Sequence, residues 1–201
     1  GSEPTAASPR YTGPVEIGKS ARFRATALRE GGENASYSRE FAFSKSTGRP
    51  AVLNTKPNDS YTFEGASLLV DGYHSRPVFT SGAWLGYLDE PLDVTIDMGG
   101  EQSYRSVELE TLAEKGDWIF PPSSVTVWVS DNGTDFTEVA SVAVPEAKAG
   151  DADGIGRYRM QFPETSARYL KVVAQNAAAI PAWHPGAGSK GFLFVDEVVV
   201  E

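Results

Sequence analysis

An all-β fold, a β-sandwich or jelly roll, is what this 201-residue sequence predicts. Three observations carry the prediction. Short runs rich in Val, Thr, Tyr and Phe alternate between apolar and polar positions. Turn residues punctuate those runs, with 20 Gly and 13 Pro in the chain. No segment sustains a helical period of apolar residues.

Taken in order, the first strand is Ala21 to Leu28, where Phe23 and small alanines share a face. A turn over Gly31-Gly32-Glu33-Asn34 returns the chain through a second strand, Tyr37 to Phe43. Ser44 to Pro50 reads as a polar link. Beyond it, Asp93 to Met98 alternates and stops at Gly99-Gly100, and Ser106 to Glu110 alternates again. Ser124 to Ser130 ends at the turn Asp131-Asn132-Gly133, and Phe136 to Val139 follows. Arg157 to Phe162, Ala167 to Ala174 and a closing run Phe192 to Val200 complete the series. Two units are expected, residues 1–45 and residues 46–201. The first is too short to form a two-layer sandwich alone.

Composition closes off several functions. A net charge of −9 gives nothing to attract nucleic acid or an anionic membrane. With no cysteine there is no disulfide, thiolate nucleophile or Cys-ligated zinc. No apolar run reaches the length of a membrane span. Catalysis has little material: the only histidines are His74 and His184, and no Ser sits in a nucleophile elbow. Acidic pairs such as Asp196-Glu197 are adjacent on a strand, where neighbours point to opposite faces, so they cannot flank one glycosidic bond.

Binding has better candidates. Trp183 and His184 lie in a Gly- and Pro-rich loop, Ile180 to Gly191, anchored by the closing strand. Trp118 follows the charged stretch Ala113 to Asp117, which places it in a loop or at the start of an Ile119-Phe120 strand. Tyr73, His74 and Arg76 follow Asp71-Gly72 in an irregular stretch that suits a polar binding loop or a solvated one. The alternative for the first pair is that Trp183 plugs the sandwich end and His184 satisfies a backbone carbonyl. Trp84 and Trp128 read as structural.

The order of several pieces resembles a discoidin domain, the coagulation-factor 5/8 type C fold used by many bacterial carbohydrate-binding modules. The pieces are Leu69-Val70-Asp71-Gly72 with Trp84, Ile96 to Gly99, Val125 to Gly133 with Phe136, Ala167 to Val172, and Asp196-Glu197-Val198. Trp84 to Tyr87, Trp118 to Pro122 and Ile180 to His184 are similar to the discoidin-type tail of bacterial β-N-acetylhexosaminidases. The opening residues resemble the partial immunoglobulin-like module that follows the catalytic barrel there, with its usual first strand missing.

That resemblance implies a discoidin jelly roll preceded by a partial immunoglobulin-like unit, cut from a secreted, periplasmic or cell-surface bacterial glycoside hydrolase. The chain would be a non-catalytic accessory region binding an N-acetylhexosamine or galactose-type glycan. Sugar C–H faces would stack on Trp183 or Trp118, with His184, Arg76 or His74 supplying hydrogen bonds and Tyr73 in the same binding set. It would lie beside the catalytic domain of the parent enzyme, with no nucleic-acid or membrane partner. The competing readings are a structural spacer and a protein-adhesion module. The resemblance also implies a structural Ca²⁺ held by Asp71 and Glu197, although the Thr expected two residues before Trp84 is Gly82 here.

Overall fold

A two-stranded hairpin precedes a two-layer sandwich in the computed structural model, which describes residues 2–29, 31 and 34–201. The hairpin pairs β1 (Ala21–Ala27) with β2 (Ala35–Phe41), Ala21 opposite Phe41 and Ala27 opposite Ala35. Gly32 and Glu33 of the expected turn lie outside the described residues, as does Gly1 of the opening segment.

The sandwich contains β3 (Ala51–Leu53), β4 (Leu85–Tyr87), β5 (Leu92–Ala113), β6 (Ser124–Ser130), β7 (Thr137–Ala143), β8 (Gly154–Gln175) and β9 (Leu193–Val200). Their order is β4-β9-β5-β8-β6-β7, with β3 paired to β5. The two 22-residue strands, β5 and β8, run through both layers. The first part of β5 pairs with β3 and with the end of β8, while its second part pairs with β9 and with the start of β8.

This corrects the expectation of a strand end at Gly99-Gly100. The register shifts between Asp97 and Gln102, and Gly99 takes a φ of 79°, so the strand bends from one layer to the other instead of stopping. A Cβ on Gly99 would also come within 2.7 Å of the Arg49 guanidinium. Arg157 to Phe162 and Ala167 to Ala174 are likewise one continuous strand.

Between the layers Leu69, Leu85, Ile96, Leu109, Val127, Leu170 and Val195 are fully buried. Each contributes on the order of 1.5–3 kcal/mol relative to an exposed side chain. A smaller cluster of Trp84, Leu112, Ile119 and Phe194, packed with Tyr61, Phe79 and Phe192, lies apart from it. Trp84 is wholly buried and its indole N–H donates to the Arg76 carbonyl at 2.9 Å, the structural role expected of it. Trp128 stands off the core, half-buried beneath the Lys171 ammonium.

A second irregularity shapes β9. Leu109 pairs with Val198 but Thr111 pairs with Val195, so Glu110 faces two residues, Asp196 and Glu197. The bulge breaks strand alternation. Both acids turn toward the segment after Asp71: Asp196 accepts the Ser75 N–H at 2.7 Å and Glu197 accepts the Gly72 N–H. The sequence argument that adjacent acids must point apart therefore fails here.

Candidate functional site

The aromatic end of the sandwich is built where β5 hands over to a tight turn. After Ala113 a 3-10 turn spans Lys115–Asp117, and Trp118 follows in the left-handed region at φ 65°. A non-glycine residue there is strained and persists only when its surroundings hold it. Lys115 supplies much of that hold. Its side chain is buried in an ion pair with Asp153, and its N–H donates to the same carboxylate at 3.2 Å. The Lys115 ammonium holds the Asp153 carboxyl below its ordinary range. The Lys115 carbonyl accepts the Trp118 N–H at 3.0 Å.

His184 closes the turn from the other side. Its Nε2 lies 2.9 Å from the Lys115 carbonyl, and its Nδ1 accepts the Gly186 N–H at 3.0 Å. A carbonyl only accepts and an amide N–H only donates, so the ring carries its proton on Nε2 in this arrangement. Only 9% of His184 is exposed. The Phe120, Trp118 and Trp183 rings meet it nearly edge-on, with centroids 5.5, 6.1 and 5.6 Å away.

The two indoles stay open. Trp118 is 42% and Trp183 is 39% exposed. Trp183 is oriented by its indole N–H, which donates to the Ala147 carbonyl at 2.9 Å. Trp118 lies over Gly186, where an added Cβ would come within 2.8 Å of the ring. Beside Trp183 opens a cavity of about 350 Å³, walled by Phe120, Pro121, Val144, Pro145, Ala147 and Pro181. Its surface is mostly apolar, suited to a C–H face, with Glu146 and Ser123 also in the wall.

The residues expected around one site are thus divided between several places. Trp118, Trp183 and His184 come together. His184 has both ring nitrogens engaged within the chain, so the direct hydrogen bond to a sugar expected of it is replaced by an anchoring role. Tyr73 lies at the junction with the hairpin: it bridges to Phe41, and the Arg39 guanidinium sits 3.6 Å above its ring. His74 is half-buried with Nδ1 3.0 Å from Glu110 Oε2, and that carboxylate raises the imidazole above its ordinary range. Arg76 is exposed. Among the described residues, none of these three makes a hydrogen bond or ring contact with Trp118, Trp183 or His184. Sequence reasoning missed Lys115 and Asp153 as the clasp, because their pairing joins segments 38 residues apart.

Acidic residues gather around the segment after Asp71. Glu197 is fully buried, and burial, with Asp71 next in effect, pushes its carboxyl up to about 10. Burial likewise pushes Asp196 up to about 8 and raises Asp71. Glu110 accepts from Arg157 Nε at 2.8 Å, while its buried Oε1 has no hydrogen-bond partner among the described residues. Burial keeps these carboxyls from ionising alone, and an oxygen-loving cation would favour their charged form. No group of three or more acidic or imidazole side chains among the described residues converges on a metal. A calcium ion at Asp71 and Glu197 would therefore complete its shell of roughly six to eight oxygens from carbonyls and hydroxyls.

Among the described residues, no helix is long and apolar enough to cross a membrane. No curated protein matches the chain. Chitosan-binding module 1 of a chitosanase/glucanase from Paenibacillus sp. IK-5 superposes with a TM-score of 0.51 and 17% identity, over 79% of this chain and 98% of that one. Chitosan-binding module 2 of the same enzyme, solved with chitotriose, superposes with a TM-score of 0.50 and 17% identity, over 78% and 98%. These similarities establish a shared fold. The chitobiase/beta-hexosaminidase C-terminal domain family matches residues 1–39. The F5/8 type C domain family matches residues 54–190, more than half of the chain, and the chain belongs to that family.

Proposed function

We propose that residues 46–201 bind carbohydrate at the aromatic end, as a non-catalytic accessory region of a secreted, β-N-acetylhexosaminidase-like glycoside hydrolase. In this reading residues 1–45 are the partial immunoglobulin-like unit that joins the module to its catalytic domain. The observation that carries the proposal is the pair of half-exposed indoles, Trp118 and Trp183, fixed around the buried His184 beside an apolar slot. Fixed rings lose little freedom when a sugar C–H face stacks on them. A spacer with no ligand would gain nothing from holding Trp118 in a strained conformation with its ring in water.

The names of the similar modules support the same class: two are described as chitosan-binding, one of them with chitotriose bound. A polymer of N-acetylhexosamine or a galactose-type glycan is the ligand class proposed. Single-site binding is weak, and tethering to an enzyme on the same substrate raises the effective concentration. Asp71 and Glu197 are proposed to hold a structural Ca²⁺, whose charge would offset the buried carboxylates.

Calorimetric titration with chito-oligosaccharides and galactose-type glycans tests the ligand. The expected result is millimolar-range binding that Trp183→Ala and Trp118→Ala each weaken about tenfold or more, with the fold unchanged. Binding by neither glycan class, or binding that both variants leave intact, overturns the proposal.

A further inference from the structure

We propose that this chain carries a second ligand site, at the far end of β9 from the aromatic cluster, which takes the carboxylate or sulfate group of an acidic saccharide. The site is a cleft of about 780 Å³ between two walls. One wall is Phe43-Ser44-Lys45, in the link between hairpin and sandwich, held by the Lys45 N–H donating to the Val200 carbonyl at 3.0 Å. Arg105, on β5, and Arg159, Gln161 and Phe162, on β8, face it.

The charge of the cleft runs against that of the molecule. The chain carries −9, yet Lys45, Arg105 and Arg159 line this cleft, and Glu201 is the one acidic residue among its described lining. The three cations are not equally engaged. Arg159 is fixed by an ion pair with Glu201 and by a 3.0 Å bond to Ser106 Oγ. Arg105 is exposed, and its ion pair with Glu164 spans 3.8 Å, beyond hydrogen-bond reach. Lys45 donates one of its protons to the Ser103 carbonyl at 2.5 Å and keeps two. Arg105 and Lys45 thus offer donors from opposite walls, while Arg159 is engaged by Glu201.

An oxyanion meets these donors in charge-assisted hydrogen bonds, the stronger kind. The rest of the cleft suits a saccharide body better than a free ion. Phe43 supplies apolar surface for a C–H face, while Phe162 beneath it belongs to the core, and the Gln161 amide has no hydrogen-bond partner among the described residues. The volume exceeds that of an inorganic anion and lies in the range of small-molecule sites. This site is independent of sugar stacking on Trp118 and Trp183.

The test is calorimetric titration of the whole chain with an oligosaccharide of hexuronic acid, its carboxyl-reduced counterpart and inorganic sulfate. The acidic oligosaccharide is expected to bind, more weakly as salt rises, and the reduced form is not. The double variant Lys45→Ala/Arg105→Ala, both exposed, is expected to weaken binding about tenfold or more with the melting temperature retained. Trp183→Ala is expected to leave this binding intact. The proposal is overturned by equal binding of the reduced form, by an unchanged double variant, by sulfate binding without oligosaccharide binding, or by no binding at all.

Discussion

The aromatic end and the acidic segment after Asp71 draw on the same two strands, β5 and β9, yet treat their polar groups in opposite ways. At the aromatic end every hydrogen-bonding atom of His184 and the indole N–H of Trp183 are engaged inside the chain, while the Trp118 and Trp183 rings stay in water. Around Asp71 the charged groups are the buried ones, and Glu110 Oε1 and the Glu197 carboxylate are left poorly matched. The first arrangement is a rigid platform complete without a ligand. The second buries carboxyls whose ionisation burial disfavours and a counterion would favour. In the proposed function, recognition accordingly belongs to the region whose polar needs are met, and a metal-dependent stability to the other.

Adding calcium should separate the two regions most. At a free concentration about a hundred times the dissociation constant, a bound ion stabilises by about 2.7 kcal/mol, a rise of several degrees in melting temperature. Glu197→Gln should abolish that rise and leave glycan affinity unchanged. Identical melting in calcium and in chelator would remove the metal from the account.

His184→Ala should have a smaller effect, confined to the aromatic end. It orphans the Gly186 N–H and removes the ring against which both indoles rest, at a cost of about 1–3 kcal/mol. Glycan affinity should fall together with stability, while the calcium response persists. Unaltered glycan affinity would mean that the platform does not depend on its anchor.

The smallest effect is expected at the bend of β5, which touches neither region. Asp97 receives both guanidinium donors of Arg168 and the Gly99 N–H, and this holds its carboxyl down at about 2, from an ordinary 3.8. A depressed folded-state value stabilises above the unfolded one, and the contribution disappears as pH falls through the folded one. Urea unfolding between pH 5 and 2 should show wild type losing slightly more stability than Asp97→Asn, by less than about 1 kcal/mol, as for an exposed pair. Parallel loss in both proteins would assign the acid sensitivity elsewhere.

The sequence by itself determined the strands with clean alternation, such as Ser124–Ser130 and the run ending at Val200, because a period of two is a local property. It also marked Trp118, Trp183 and His184 as neighbours of turns. The three-residue strands Ala51–Leu53 and Leu85–Tyr87 left no such pattern, being too short to show a period. Gly99-Gly100 looked like an ending because local backbone freedom does not distinguish a stop from a bend. Only the tertiary structure decided that Tyr73 stacks under Arg39, that Asp153 clasps Lys115, and that Asp196 and Glu197 face the same segment. Each of these depends on contacts between distant parts of the chain, or on a bulge set by a partner strand. Periodicity along one segment carries no record of what another segment brings against it.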